Sequence, residues 1–351
     1  MLINMNMFEK VSIVIVNWNG RNHLKKCFAS LIKVVYPDFE IIIVDNASKD
    51  DSIGVIKEFG IVMAKKNVKV ITVINKKNLG FAGGNNVALP FVTGKYILLL
   101  NNDTVVTKEF VKELVIAIQK DPKIYCVQSK ILSMDYPDKL DSVGAYLTNS
   151  GFLYHYGYFQ KNKLSYDATR ELYTAKGACM MVRHDTVDEI GLFDPDFFAY
   201  FEESDFCHRI WLSGGKVMYA PKSIIYHKVG GTSNSMNNAF IQFHSFKNRI
   251  NSYLKNLGTL QMLEIVPLHI LLCEVAAIGF IQKGRFDLFV AINKAIFWNI
   301  QHLKKTLKKR KRVQYKLRKV SDLQFLSKIK RNPGPRYYYY LFAKSLVGYK
   351  E

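Results

Sequence analysis

"VSIVIVNWNG", residues 11–20, decides the first question this chain poses. Five of its first six residues are β-branched and apolar. The run is too short for a helix and lacks the alternation of a half-exposed strand, so it reads as a strand buried on both faces. Asn17, Trp18, Asn19 and Gly20 form the turn that ends it. Leu24, Cys27, Phe28 and Leu31 then recur at i, i+3, i+4 and i+7, the spacing of a helix. The pattern repeats. "FEIIIVDNASKDD" is a second buried strand ending at Asp45, followed by N-cap residues for a second helix. "VKVITVINKKNLGFAGGNN" reads as a third strand and a glycine-rich turn. "KYILLLNNDTVV" is a fourth strand, ending at Asn101-Asn102-Asp103, and "TKEFVKELVIAIQKD" is an amphipathic helix.

Strands alternating with helices imply an α/β fold with a mostly parallel sheet flanked by helices. Ligands of such sheets bind beyond the carboxyl ends of the strands. The polar clusters at 17–19, 45–48, 78–86 and 101–103 all fall at such ends, so they converge on one rim. At 351 residues and 49% hydrophobic content, the chain has material for a large α/β unit and a smaller second one. The first unit is expected over 1–250, with halves of about 1–125 and 126–250, and a basic helical region over 251–351. Residues 130–175 lack periodicity and read as an irregular insertion. A strand ("YTAKGACMMVRHD"), two helices and two short strands ("KVMYAPKSIIYH") complete the first unit.

The formal charge is +21, of which residues 251–351 carry +15 (20 Lys and Arg against 5 Asp and Glu). Such a segment favours an anionic partner. Cys27, Cys126, Cys179, Cys207 and Cys273 are odd in number and scattered. They form neither a disulfide framework nor a zinc motif, and they fit a reducing cytoplasm. The apolar run at 11–16 is too short for a signal peptide. The apolar stretch at 265–281 is interrupted by Pro267 and Glu274, so no spanning helix is expected there.

Asp103, at the end of a Leu- and Ile-rich strand, has two readings: a helix cap, or an oxygen ligand for Mg2+ or Mn2+. The spacing Gly80-x-x-Gly83-Gly84 is not the G-x-G-x-x-G of dinucleotide folds, although Asp103 lies 20 residues beyond Gly83. His227 ends an apolar strand and is a ligand only if Asp103 meets it in space. "FAYFEESDFCHRIW", residues 198–211, sets Glu202, Glu203 and Asp205 among aromatic rings. Those rings argue for a cleft wall rather than a solvated face. Partial burial and mutual repulsion raise carboxylate pKa values, which tunes a general base.

Together these pieces resemble the family 2 inverting glycosyltransferases, in particular the rhamnosyltransferase-like branch that builds bacterial and archaeal surface polysaccharides. "VSIVIVNWNG", "IIIVDNASKD", "NLGFAGGNN", "LLLNNDT", "GACMMVRHDTVDEIGLFDPDFFAYFEESDFCHRIWLSGG" and "YHKVGGTS" occur in family order over roughly residues 10–250. The resemblance implies a GT-A fold and a nucleotide-diphosphate sugar as donor. By position, Asn17 and Asp45 match residues of the nucleoside pocket, with Asn78, Gly83 and Asn102 nearby. Asp103 matches the last acid of the D-x-D-like motif that holds a divalent cation, Mn2+ or Mg2+, and His227 a histidine that completes its coordination. Glu203 matches the second acid of E-D-x-D, taken as the catalytic base, with Glu202 and Asp205 as neighbours. Two departures stand out. The base position carries Glu instead of Asp, and Asn101-Asn102-Asp103 offers a single carboxylate.

Basic residues beside apolar helices and the terminal "RYYYYLFAKSLVGYK" suit a membrane interface. A lipid-linked or glycan acceptor, handled at the cytoplasmic face of a membrane, follows as an expectation, with no nucleic acid as partner. The competing readings are a nucleic-acid-binding protein, suggested by charge alone, and a sugar-nucleotide-binding relative impaired in catalysis.

Overall fold

The computed structural model describes residues 8–228, 230, 238–342 and 344–350. Of the stretch "YHKVGGTS", Val229 and residues 231–233 lie outside the described residues. In chain order the first half comprises β1 (Val11–Asn17), α1 (Arg21–Leu31), β2 (Phe39–Asp45), α2 (Ser52–Ala64), β3 (Val70–Ile74), α3 (Gly80–Ala88), β4 (Tyr96–Leu100), β5 (Thr104–Val106) and α4 (Phe110–Gln119). Then follow β6 (Ile124–Ser133), β7 (Leu140–Ser142), β8 (Ala145–Leu147), β9 (Leu153–His155), β10 (Arg170–Glu171), β11 (Cys179–Arg183), α5 (His184–Ile190), α6 (Glu202–Leu212) and β12 (Lys216–His227). Helices α7 (Asn238–Asn256), α8 (Thr259–Gln282), α9 (Phe286–Gln301), α10 (Leu303–Arg312), α11 (Asp322–Ile329) and α12 (Pro335–Phe342) complete the chain.

The main sheet runs β10-β12-β6-β11-β4-β1-β2-β3, with β5 on β12 and β7 on β6. Strands β4, β1, β2 and β3 are parallel, whereas β11 is antiparallel to both of its neighbours, so the sheet is mixed. The parallel register sets Asn17 beside Asp45, and the polar rim expected at the strand ends is formed.

Three local expectations change. The glycine-rich "turn" is largely helix: Gly80, Gly83 and Gly84 lie in α3. A Cβ on Gly84 would sit 2.7 Å from a Val16 methyl, so the small residue lets α3 lie close on β1. The stretch "KVMYAPKSIIYH" is one strand, β12, with an irregularity between Ala220 and Ile224 instead of a break. The stretch 130–175, expected to be irregular, opens on the last four residues of β6, a ten-residue strand inside the sheet, and also holds β7, β8, β9 and β10. The polar residues of β6 find distant partners: Ser129 Oγ meets Ser223 Oγ at 2.8 Å, and Gln128 Oε1 accepts the Lys176 N–H at 2.7 Å. All five cysteines are buried and free.

Helix α7 passes through position 250, and Tyr253, Leu257, Ile265, Phe325 and Ile329 share one apolar core with Phe197 and Phe206. Part of the C-terminal positive charge is engaged internally. Lys255 pairs with Asp194 and Asp205, Lys309 with Asp194 and Asp196, and Lys305 with Asp196. Helix α8 is continuous through Pro267, against the expectation of a broken stretch. Pro267 and Leu263 are both exposed, so the Leu263 carbonyl that loses its N–H partner lies on the outer side of the helix and not in the core. Among the described residues α8 is the one helix long and apolar enough to cross a membrane. One of its faces is nevertheless buried, through Ile265, His269, Cys273 and Ala277.

Candidate functional site

A cavity of about 360 Å3 opens at the carboxyl ends of the parallel strands. Strand pairing brings its key side chains together. β5 pairs antiparallel with β12 so that Thr104 lies opposite His227. Asp103, one residue earlier, therefore meets the histidine: His227 Nε2 lies 3.3 Å from Asp103 Oδ1. The other ring nitrogen, Nδ1, lies 2.9 Å from Asp141 Oδ2, on β7. The Lys176 ammonium bonds both Asp141 oxygens at 2.7 Å. The helix-cap reading of Asp103 does not hold, because β5 follows it and α4 begins only at Phe110.

Electrostatics follow from this chain of contacts. Burial alone would lower the His227 imidazole, but its contacts with Asp103 and Asp141 outweigh burial and raise it to about 9. Burial would raise Asp141, yet Lys176 and His227 hold it well below the usual carboxylate range.

The opposite wall comes from the start of α6. Tyr200 and Phe201 adopt φ of 72° and 71°, a left-handed pair that costs about 1–3 kcal/mol per residue. Helix α7 pins this turn: Asn248 Nδ2 donates to the Ala199 and Tyr200 carbonyls at 2.9 and 2.7 Å. The turn aims the first residues of α6 into the cavity. Glu202 and Glu203 line it, and Glu203 also lines a second, adjoining cavity of about 420 Å3. As first-turn acids they gain from the helix dipole. Burial and Glu203 push Glu202 well above the carboxylate range, and burial raises Glu203 while Lys176 opposes the shift. Among the described residues, neither Glu202 Oε2 nor Glu203 Oε2 has a hydrogen-bond partner.

The third acid of the cluster goes elsewhere. Asp205 is fully buried and pairs with Arg209 at 3.1 Å, Lys255 at 3.0 Å and Asn256 at 2.9 Å. Burial would raise it, but Lys255 and Arg209 lower it. It lines neither cavity and ties α6 to α7, which corrects its candidacy as a catalytic acid.

The donor-side candidates divide in the same way. Asn78, Asn102, Asp103 and His227 line the cavity. Asn17, Asp45 and Gly83 do not. Asn17 bonds Asp45 Oδ1 at 3.0 Å and accepts from Asn102 at 2.7 Å, while Ser48 occupies both Asp45 oxygens. These two residues brace the rim, and Val16, Trp18 and Asn46 face the cavity in their place. Gly83 lies inside α3; Gly80, with φ of 71°, is the close-approach glycine, since a Cβ there would sit 2.1 Å from the Phe198 carbonyl oxygen. The sequence reading missed Asp141 and Lys176. Neither has a local signal: one lies in an aperiodic stretch, the other just before a strand.

The profile of the family described as Glycosyl transferase family 2 matches residues 12–191, just over half of the chain. The chain belongs to glycosyl transferase family 2. The low-salt glycan biosynthesis hexosyltransferase Agl10 of Haloferax volcanii is 24% identical to this family 2 chain over 214 residues, which is 59% of this chain and 63% of that protein. The chain spans between about a quarter and two thirds of the length of the first curated relatives it matches. In structure it resembles S. aureus TarS 1-349 in complex with UDP-GlcNAc (TM-score 0.57, 15% identity, 87% of this chain and 86% of that one). It also resembles the mannosyltransferase PcManGT from Pyrobaculum calidifontis in complex with GDP-Man and Mn2+ (TM-score 0.55, 12% identity, 84% and 87%). The fold is thus that of the GT-A glycosyltransferases.

The side chains present fit a divalent cation only in company. Among the described residues, no three His, Cys, Asp or Glu side chains gather into a ready-made cation site. Among the described residues, Asn101 Oδ1 is nevertheless buried without a hydrogen-bond partner, and Asp103 Oδ1 has His227 Nε2 at 3.3 Å, the far nitrogen of that ring being held by a carboxylate. Mg2+ and similar ions bind through one or two carboxylates plus substrate phosphates. A carboxylate behind a ligating histidine is the usual outer support.

Proposed function

We propose that this chain is an inverting glycosyltransferase. It moves a sugar from a nucleotide-diphosphate donor, dTDP-rhamnose or a UDP-sugar, to a hydroxyl of a glycan or lipid-linked acceptor in surface polysaccharide synthesis. The observation that carries this reading is the position of Glu203, which faces two adjoining cavities, one of them holding Asp103 and His227 in its wall.

The donor occupies the cavity at the strand ends. The acceptor hydroxyl approaches Glu203 from the other side. The Glu203 carboxylate takes the hydroxyl proton, and the oxygen attacks the anomeric carbon. The bond from that carbon to the diphosphate breaks, and its electron pair leaves with the nucleoside diphosphate. One displacement inverts the anomeric configuration. Burial raises both acids, and Lys176, which opposes that shift on Glu203, favours the ionised form there, which makes Glu203 the base. Lys176 places a cation where the two cavities meet. Asp103 and His227 would hold Mn2+ or Mg2+, which supplies charge neutralisation for the departing diphosphate.

The same reading places the protein at the cytoplasmic face of a membrane. Leu260, Leu263, Leu271, Val275 and Ile278 on α8 are each more than half exposed, as are Phe286, Phe297 and Ile300 on α9. Exposed large apolar side chains in this number, on two helices that pack together, mark an interaction surface. Exposed Lys283, Lys304, Lys308, Lys311 and Arg312 adjoin it in the chain. This pairing suits in-plane docking on an anionic leaflet, at about 1 kcal/mol per basic residue near the surface.

The test is a panel of nucleotide sugars with Mn2+. One donor should stabilise the protein against heat and release its nucleoside diphosphate, and NMR of the product should show the inverted anomer. Retention of configuration, or no stabilisation by any donor, contradicts the proposal.

A further inference from the structure

The second cavity has an unusual wall. Its floor and one side come from the middle of the chain: Ser142, Leu153, Tyr158 and Thr174. The other side is formed by the last residues of the protein, Leu341, Lys344, Ser345 and Leu346. Between 167 and 204 positions separate the residues of the two sides, so only the fold brings them together.

The terminal segment is built in, not draped over the surface. Tyr337 is fully buried; its hydroxyl donates to the Leu153 carbonyl at 2.9 Å and accepts the His155 N–H at 3.1 Å. Its ring stands edge-on to Tyr154 on one side and to Tyr349 on the other. Gln160 Nε2 donates to the Tyr349 carbonyl at 2.6 Å, and Phe342 packs edge-on against Phe152. Tyr338, Leu341 and Phe342 also pack on the small core formed by Cys273, Ala277, Ile292 and Ala295 of α8 and α9. The wall is thus carried by the helices whose outer face is apolar.

The cavity's chemistry is mixed. Leucine and alanine side chains offer flat apolar contact, and Ser142, Thr174, Ser204 and Ser345 offer hydroxyls. Glu203 and Lys176 lie where it meets the donor cavity, and exposed Lys344 belongs to the terminal wall. An apolar lining with a few placed polar groups is how small-ligand sites are made, and about 420 Å3 falls within their usual range of roughly 300–1,000 Å3. A pyranose ring has matching apolar faces and hydroxyl edges.

We propose that this cavity is the acceptor-sugar site and that the chain's own terminal segment, through Leu341, Lys344, Ser345 and Leu346, is the wall that selects the acceptor. The inference rests on the glycosyltransferase reading above and deepens it. The segment acts on acceptor binding alone and leaves the donor site untouched.

The test uses the full-length protein saturated with Mn2+ and UDP or dTDP, whichever stabilises it. Octyl glycosides of glucose, galactose, mannose, rhamnose and N-acetylglucosamine are titrated, and thermal stabilisation is read. At least one glycoside should stabilise the wild type in a saturable way. Leu346→Trp, which fills the cavity, and Lys344→Glu, which reverses an exposed charge on its wall, should each raise the half-saturating glycoside concentration at least tenfold. Stabilisation by the nucleotide should stay within twofold of wild type. Unchanged glycoside response in both variants overturns the inference. So does a parallel loss of the nucleotide response, or a wild type that binds nucleotide but no glycoside. A wild type that responds to no nucleotide overturns the glycosyltransferase reading itself, which is a distinct result.

Discussion

Replacing Asp141 by Asn removes one carboxylate that serves two cations. In the native protein it is almost fully buried, accepts both Lys176 contacts at 2.7 Å and holds His227 Nδ1 at 2.9 Å. The isosteric amide keeps the shape and loses the charge. Breaking a buried pair by removing one partner costs about 3–5 kcal/mol, because the other charge is left uncompensated. Lys176 is about one-third exposed and can turn toward water, which puts the expected loss near the lower end, about 3 kcal/mol. The pH dependence has a definite sign. Asp141 is depressed in the folded state, so its stabilisation is present above the ordinary carboxylate pKa and disappears only as pH falls through the folded value. The assay is urea unfolding of wild type, D141N, K176M and the double variant at pH 7, followed by tryptophan fluorescence. The double variant should cost less than the sum of the singles, with a coupling of about 0.5–3 kcal/mol. D141N within about 0.5 kcal/mol of wild type, or strict additivity, would refute the network and with it the view that Asp141 orients His227.

Other outcomes follow from the same contacts. His227 is raised to about 9 from an ordinary 6.5, so in cation-free buffer its stabilisation of about 3 kcal/mol is complete below pH 6.5 and lost as pH rises through 9; the stability difference between wild type and H227Q should shrink over that window. Asp205→Asn should lower stability by about 3 kcal/mol while the folded fraction keeps its kcat, because Asp205 is an internal ion-pair residue; a selective loss of kcat at unchanged stability would return it to the catalytic set. The pair L271E/I278E on the exposed face of α8 should abolish co-sedimentation with anionic vesicles without changing the melting temperature, and unchanged co-sedimentation would remove that face from the membrane reading.

What could be read from the sequence was what depends on local pattern. Apolar runs gave β1, β2 and β4, and helical spacing of apolar residues gave α1 and α4. The rim followed because parallel strands place their carboxyl ends together. Three things depended on long-range partners and stayed hidden. β6 carries Gln128, Ser129 and Lys130, which look like loop residues until Ser223, the Lys176 backbone and Asp167 are brought beside them. α8 looked broken at Pro267 because sequence alone does not say that the proline faces water. The acidic cluster read as one unit, yet Asp205 points into the α7 packing while its neighbours face the cavity; that division is set by Lys255, some fifty residues away. Asn17 and Asp45 were placed at the right rim, but Ser48 and Asn102 take up their polar atoms.

The most direct measurement is a side-by-side assay of E203Q and wild type. Donor-induced thermal stabilisation and sugar transfer are followed with the same nucleotide sugar. With Glu203 as the group that accepts the incoming proton, the variant should bind donor within twofold of wild type and lose transfer by about 10²–10⁴-fold. Transfer at near wild-type rate would show that the proton goes elsewhere, and the assignment of the two cavities around Glu203 would fall with it.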